Sequence, residues 1–306
     1  MGATFRGRYL EWEIPLMGDT LMGNTMFDQL KTLKVAIDSD SVAEICLCRP
    51  KQLNTMNTDF WEEFPATLKA IDRHALARVV IIHAEGKHFS AGMDRDVFGH
   101  IIDSFEGEPA RRAEQFRRGI LDLQQALSVI EEIRMPVISA IQGACVGGGM
   151  DLVCATDMRF CSADAFFTIK ETELGITADV GTLQRLQSVM PSGLAREIAY
   201  SSRPLDAAEA ASCGFINKVY PRTDELIAAV RELARAIAQH SPLAVSGTKV
   251  MLNYSRDHSV ADSLNYVATW QAGMLQAEDM NEAMNAVKEK RSATFANLKP
   301  HRSAIK

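Results

Sequence analysis

Pro136-Val-Ile-Ser-Ala-Ile141 runs through Gln142 into Gly143-Ala-Cys-Val-Gly-Gly-Gly-Met-Asp-Leu152, and this stretch decides the fold. The apolar run is too short for a helix of its own and reads as a strand buried on both faces. The glycines then turn the chain into a helix starting near Gly148. Three consecutive glycines lose much conformational freedom on folding, so a left-handed backbone or a close ligand must account for them. A helix start behind such a turn offers unpaired N–H groups and a partial positive charge. Phosphate, carboxylate or a developing oxyanion all suit that site.

Acidic residues follow. Asp151 falls in the first turn of the new helix, where the dipole favours an acid. Glu171 ends the apolar strand Phe166-Phe-Thr-Ile-Lys170, the end of a strand where α/β folds collect ligands. Asp179 lies between Gly175 and Gly181, as a helix-capping residue also would. Each alone has a structural explanation. Together, beside a glycine turn, they fit proton transfer, because carboxyl groups in a dry pocket acquire raised pKa values and serve as general acids and bases. Dinucleotide binding fits poorly: the glycine spacing is not G-x-G-x-x-G, and no Gly-Lys-Ser/Thr follows.

Outward from this centre the chain alternates. Leu33–Ile37 and Val42–Cys48 read as strands, with Arg49-Pro-Lys51 ending the second. A helix capped by Asn57 or Thr58 carries Phe60, Trp61, Phe64, Leu68 and Ile71, with Pro65 an interruption of its first turns. Ala77–His83 is a β-branched strand. His88 precedes the turn Phe89-Ser-Ala-Gly-Met-Asp94 and is a better functional candidate than His83. A helix spans about 109–133. Leu205-Asp206 opens another, and Phe215–Tyr220 is a strand. Alternation of this kind predicts an α/β domain over residues 32–235. Residues 1–31 form an arm without periodicity, and 236–306 an all-helical region that packs on its own domain or on another subunit.

The 306 residues carry a net charge of −6, with 47% apolar and 24% charged residues, a soluble composition that points away from nucleic acid. The six cysteines show no metal-ligand spacing and read as small apolar residues in a reducing compartment, so no metal is expected. No apolar run is long enough for membrane insertion. The N-terminus makes a poor signal peptide, and Ser303-Ala-Ile-Lys306 is not a peroxisomal address. A bacterial cytoplasm is the expected location, or the mitochondrial matrix in a eukaryote.

The glycine turn, the upstream Phe89-Ser-Ala-Gly-Met-Asp94, the segment Arg49-Pro-Lys-Gln-Leu-Asn-Thr-Met56 and the tail Lys288-Glu-Lys-Arg-Ser-Ala-Thr-Phe295 resemble the crotonase (enoyl-CoA hydratase/isomerase) superfamily over about residues 32–300. That resemblance implies a spiral of ββα units followed by a C-terminal oligomerisation region, and trimers that often stack into hexamers. It implies an acyl-CoA substrate and no separate cofactor. It places the two N–H groups that hold the thioester oxygen on Met93 and Gly148. It lays the CoA along Lys51, Gln52, Leu53 and along Ala91, Gly92, Met93, Asp94, with Phe295 near the CoA or acyl pocket. Hydratases of the family carry Glu at the positions of Asp151 and Glu171, and glycine at that of Asp179. The Asp, Glu, Asp set found here resembles the Δ3,5-Δ2,4-dienoyl-CoA isomerases instead. That resemblance implies proton transfer between C2 and C6 of a dienoyl chain by Glu171 and Asp179, with Asp151 in support. Enoyl-CoA hydration is the alternative. A non-catalytic RNA-binding relative would need a basic face, and the acidic balance and intact carboxylate set speak against it. A serine hydrolase on the related spiral fold lacks a nucleophile elbow.

Overall fold

The computed structural model describes residues 26–97, 99, 107–275 and 277–302, so the expectation for an arm at 1–31 lies mostly outside the described residues. In chain order the elements are β1 Leu33–Ile37, β2 Val42–Leu47, α1 Thr58–Arg73, β3 Val79–Ala84, α2 Pro109–Glu132, β4 Val137–Ile141, β5 Ala144–Val146, α3 Gly148–Ala155, β6 Met158–Ser162, β7 Phe166–Thr168, α4 Thr182–Leu186, α5 Ser192–Ser201, β8 Leu205–Asp206, α6 Ala207–Ser212, β9 Lys218–Tyr220, α7 Thr223–Ala238, α8 Pro242–Asp257, α9 Val260–Met274 and α10 Ala277–Glu289.

Six strands form one sheet in the order β1-β2-β3-β4-β6-β9, parallel except for β1. The period-2 alternation of β3 divides its side chains between two cores. Val80 and Ile82 pack with Phe64 and Leu68 of α1 and Leu127 and Ile130 of α2. Val79 and Ile81 pack with Leu226, Val230 and Ala234 of α7, which recur every fourth residue. α7 therefore belongs to the sheet domain and runs through the expected boundary at 235. β5, β7 and β8 form a second, small sheet.

Two local expectations change. Pro65 does not interrupt α1, which continues to Arg73 because the buried stripe Phe60, Phe64, Leu68 and Ile71 outweighs one missing hydrogen bond. Asn57 is its cap, accepting from the Phe60 N–H at 3.0 Å. Leu205-Asp206 pairs with β7 rather than opening a helix, and the Asp206 side chain then caps α6 through Glu209 N–H. In the C-terminal helices, α9 buries none of its residues, and Val260, Leu264 and Val287 are 76%, 64% and 79% exposed.

Candidate active site

Strand β5 is three residues long and joins most of the site. On one side Ser90 bridges Cys145 in parallel register, with Ser90 N–H donating to Ala144 O and Val146 N–H to Ser90 O. Three residues past Ser90 comes Met93. Two past Val146 comes Gly148. Met93 also bridges Met56: Met56 N–H donates to Gly92 O at 2.8 Å and Asp94 N–H to Met56 O at 3.0 Å. In a parallel pair these bonds leave the polar groups of Met93 itself pointing away from Met56. They point at the glycine turn, where a Cβ on Gly148 would lie 3.4 Å from Met93 N. Gly148 is the first residue of α3, so its N–H has no partner within the helix. Neither N–H donates to a backbone acceptor among the described residues. The two N–H groups thus border one gap at the positive end of a helix.

The glycines make this approach geometrically feasible. Gly92, at φ +88°, packs so closely that a Cβ there would lie 2.7 Å from Val146 O. Gly147 turns into α3 at φ 51°, ψ −117°, a conformation closed to L side chains, and Glu171 Oε1 lies 3.4 Å from where its Cβ would be.

The three carboxylates converge on this turn. Asp151 is buried, and its Oδ1 accepts both Thr182 N–H and Thr182 Oγ1–H at 2.7 Å. A side chain from α3 thereby caps α4. Burial, reinforced by the charges of Glu171 and Asp179, pushes the Asp151 carboxyl up to about 7 against those two bonds. Glu171 follows β7, whose pairing with β5 (Val146 beside Thr168) sets it next to Gly147. Its pKa is raised, first by burial and then by Asp179, and its Oε2 is buried without a partner. Asp179 is half-buried and its pKa is raised by burial. Three acids that each hold protons more tightly than usual beside a pair of free donors form an environment for moving protons next to a developing oxyanion.

The remaining expected residues divide. Ala91 N–H donates to Leu53 O at 3.0 Å, which joins the segments 51–53 and 91–94 into one rim, and Lys51, Gln52 and Leu53 are exposed on it. The Asp94 carboxylate is occupied internally: it accepts from Thr55 Oγ1 at 2.8 Å and pairs with Arg49 at 3.3 Å. Phe295 is not brought to the site within one chain. Its carbonyl is held by Arg78 at 2.6 Å, before the start of β3, whereas Met93 lies beyond the other end of that strand, about 20 Å away. His88 has a structural function, its Nδ1 accepting the Ala144 N–H at 3.0 Å and holding β5 in place. His83 pairs with Glu44. Gln124, a polar residue with no motif around it, donates to the Asp179 carbonyl at 2.6 Å.

A family model described as enoyl-CoA hydratase/isomerase matches residues 38–298. The chain belongs to this family. Within the enoyl-CoA hydratase/isomerase family it is 43% identical, over 274 residues, to the peroxisomal Δ3,5-Δ2,4-dienoyl-CoA isomerase of Arabidopsis thaliana, covering 89% of this chain and 98% of that one. It is 41% identical to the mitochondrial Δ3,5-Δ2,4-dienoyl-CoA isomerase of Homo sapiens, covering 90% and 86%. The solved structure of a putative enoyl-CoA hydratase from Streptomyces coelicolor A3(2) superposes with a TM-score of 0.79 at 28% identity, covering 92% and 99%. These relatives bear out the crotonase architecture of the α/β fold. Those at about 40% identity have peroxisomal or mitochondrial names, so the expected bacterial cytoplasm finds no support in them. Among the described residues no helix is long and apolar enough to cross a membrane.

Proposed function

We propose that this chain converts 3,5-dienoyl-CoA to 2,4-dienoyl-CoA, with Glu171 and Asp179 as the acid/base pair and Met93 and Gly148 N–H as the oxyanion hole. One carboxylate removes a proton from C2, and the C2–H electron pair passes into the thioester as an enolate conjugated with both chain double bonds. The two N–H groups and the start of α3 hold its oxygen, which supplies the largest single stabilisation; losing one such donor typically costs ~3 kcal/mol. The second carboxyl delivers a proton at C6, and the double bonds settle at C2 and C4. One proton leaves and one arrives, so the step needs no water, oxidant or cofactor beyond the CoA carried by the substrate.

The observation that carries this reading is Asp179. It adds a third acid with a raised pKa where family hydratases have glycine, and the dienoyl-CoA isomerases compared above are more similar to this chain than the hydratase-like structure is. Raised pKa values suit the cycle, since one partner must begin ionised and the other protonated. Asp151, held by Thr182, tunes the pair. The thioester's CoA lies along Lys51–Leu53 and Ala91–Asp94. The exposed apolar residues of α9 and α10 support a homotrimer or hexamer, which light scattering on the purified chain tests directly. We place the protein in an organelle of the kind its relatives are named for.

Ultraviolet assays with 3,5-dienoyl-CoA and 2-enoyl-CoA separate isomerase from hydratase. Glu171→Gln and Asp179→Asn are each expected to slow isomerisation by at least ~10²-fold. Near-normal turnover in both variants would refute the assignment.

A further inference from the structure

Asp179 is fixed differently from the rest of the site. Met93, Gly148, Asp151 and Glu171 all take their places from β5 and its neighbours. Asp179 lies instead in the turn between the exposed residues 172–177 and the start of α4. Ala178 and Val180 on either side of it are buried. Apolar contacts locate the turn but do not set the rotation of a peptide unit, because they are non-directional. A hydrogen bond does set it.

Three polar residues of α2 supply such bonds. Gln124, Ser128 and Glu131 are spaced by four and three residues and so share one helix face. Gln124 Nε2 donates to Asp179 O at 2.6 Å. Ser128 Oγ accepts from Arg185 Nη2 at 3.0 Å and donates to the Gln124 carbonyl at 2.8 Å. Glu131 Oε2 accepts Nε and Nη2 of the same arginine at 3.0 and 2.6 Å. The Arg185 guanidinium lies over Gly181, which at φ +130° leaves no room there for a Cβ. The turn 179–185 is thus clamped to α2 at both ends. Between clamp and turn is a pocket of about 290 Å³, bordered by Gln124, Ser128, Glu131, Val180, Gly181 and Arg185. No side chain packs through that space, so the Gln124 bond is what holds the 179–180 peptide on this side.

We infer that Gln124 is a positioning residue for proton transfer: by holding the Asp179 carbonyl it fixes the direction in which the Asp179 carboxyl points. This rests on Asp179 being an acid/base group as proposed above. The chemistry tolerates little error, since a 1 Å misplacement of a reacting group costs about 10²-fold in rate.

The test compares Gln124→Leu, similar in size but without a donor, with the wild-type protein and Asp179→Asn. Turnover of 3,5-dienoyl-CoA is run in D2O, and deuterium is read at C2 of recovered substrate and C6 of product. Gln124→Leu is expected to lower kcat about 10-fold with KM within about twofold. The same reading from 2,4-dienoyl-CoA runs the step in reverse, so that each carbon is once the first to lose its proton; deuterium exchange at the carbon deprotonated first should persist where Asp179 does not serve it and slow where it does, in Gln124→Leu as in Asp179→Asn. A structural role alone would slow both carbons alike or shift the urea midpoint. Either pattern, or an unchanged kcat beside an inactive Asp179→Asn, overturns the inference and leaves the isomerase reading intact. An active Asp179→Asn overturns instead the acid/base role of Asp179 on which the inference rests. Gln124→Met, more adaptable in packing, is read in the same way should Gln124→Leu fold poorly.

Discussion

The buried Asp151 carries a stability cost that pH can switch. Its carboxyl holds its proton up to about 7, against 3.8 for an unburied aspartate. Each tenfold change in proton affinity is worth about 1.4 kcal/mol, so keeping this group ionised in the folded chain costs roughly 4 kcal/mol at most. Below pH 4 both folded and unfolded chains hold the proton and nothing is lost. Between pH 4 and 7 the unfolded chain releases it while the folded chain retains it, so stability falls as pH rises. Above pH 7 the loss is complete. Asp151→Asn removes the titration and keeps an oxygen that can accept both Thr182 bonds. It is therefore expected to lie within about 1 kcal/mol of the wild type near pH 4.5 and to be more stable at pH 8, by up to about 4 kcal/mol. Urea unfolding at pH 4.5, 6 and 8 reads this as a midpoint gap that widens with pH. A constant gap, or a variant less stable at pH 8, would mean that the folded protein does not resist ionising Asp151, and with it would go the reason for calling this pocket a proton-holding site.

Two further substitutions separate site from scaffold. Gly148→Ala puts a methyl 3.4 Å from Met93 N, inside the donor gap, and 3.0 Å from Met56 Sδ, which is the mobile part of its side chain. Isomerisation is expected to fall about 10²–10³-fold, as for loss of an oxyanion donor, with the urea midpoint little changed. Glu44 on β2 is held down to about 2 by His83 and Arg231, against an ordinary 4.5, and it ties α7 to the sheet. A depressed carboxylate contributes stability that is complete above its unfolded pKa and is lost as pH falls towards 2. Glu44→Gln should therefore cost about 2 kcal/mol at pH 7 and progressively less under acid, measured by the same titration.

Much of the site was legible because its parts depend on chain-local chemistry. A glycine turn after an apolar strand and a helix start carrying an acid are written in consecutive residues, so Gly148 and Asp151 could be named from the sequence. β5 could not, because a three-residue strand has no periodicity and exists only through its pairing with β7 and Ser90. His88 stands above His83 as a candidate only because it precedes the turn 89–94, and a histidine near a strand end is more often structural; its actual partner, the Ala144 N–H, is far away in sequence. Gln124 left no trace, since a polar residue on an amphipathic helix normally faces water. Phe295 carried a family expectation, but the tail is held by its backbone: Arg78 binds Phe295 O, and Arg134 binds Lys299 O at 3.2 Å. Periodicity does not report backbone docking of that kind.

The division between β5 and the Asp179 turn bears on how one scaffold hosts different reactions. The proposed oxyanion hole is a consequence of register: Ser90 beside Cys145 fixes where Met93 and Gly148 emerge, and Val146 beside Thr168 fixes Glu171. Moving any of these disturbs all of them. A Cβ on Gly143, at the head of β5, would collide with the Lys87 carbonyl oxygen. Asp179 has one support outside this frame, Gln124 of α2, and one that ties it to α3, the Asp151–Thr182 bonds. Its side chain can therefore change without moving the thioester. On the proposed reading, a fixed frame for the enolate with a second acid held partly from α2 is the arrangement in which isomerisation and hydration differ by a side chain rather than by a fold.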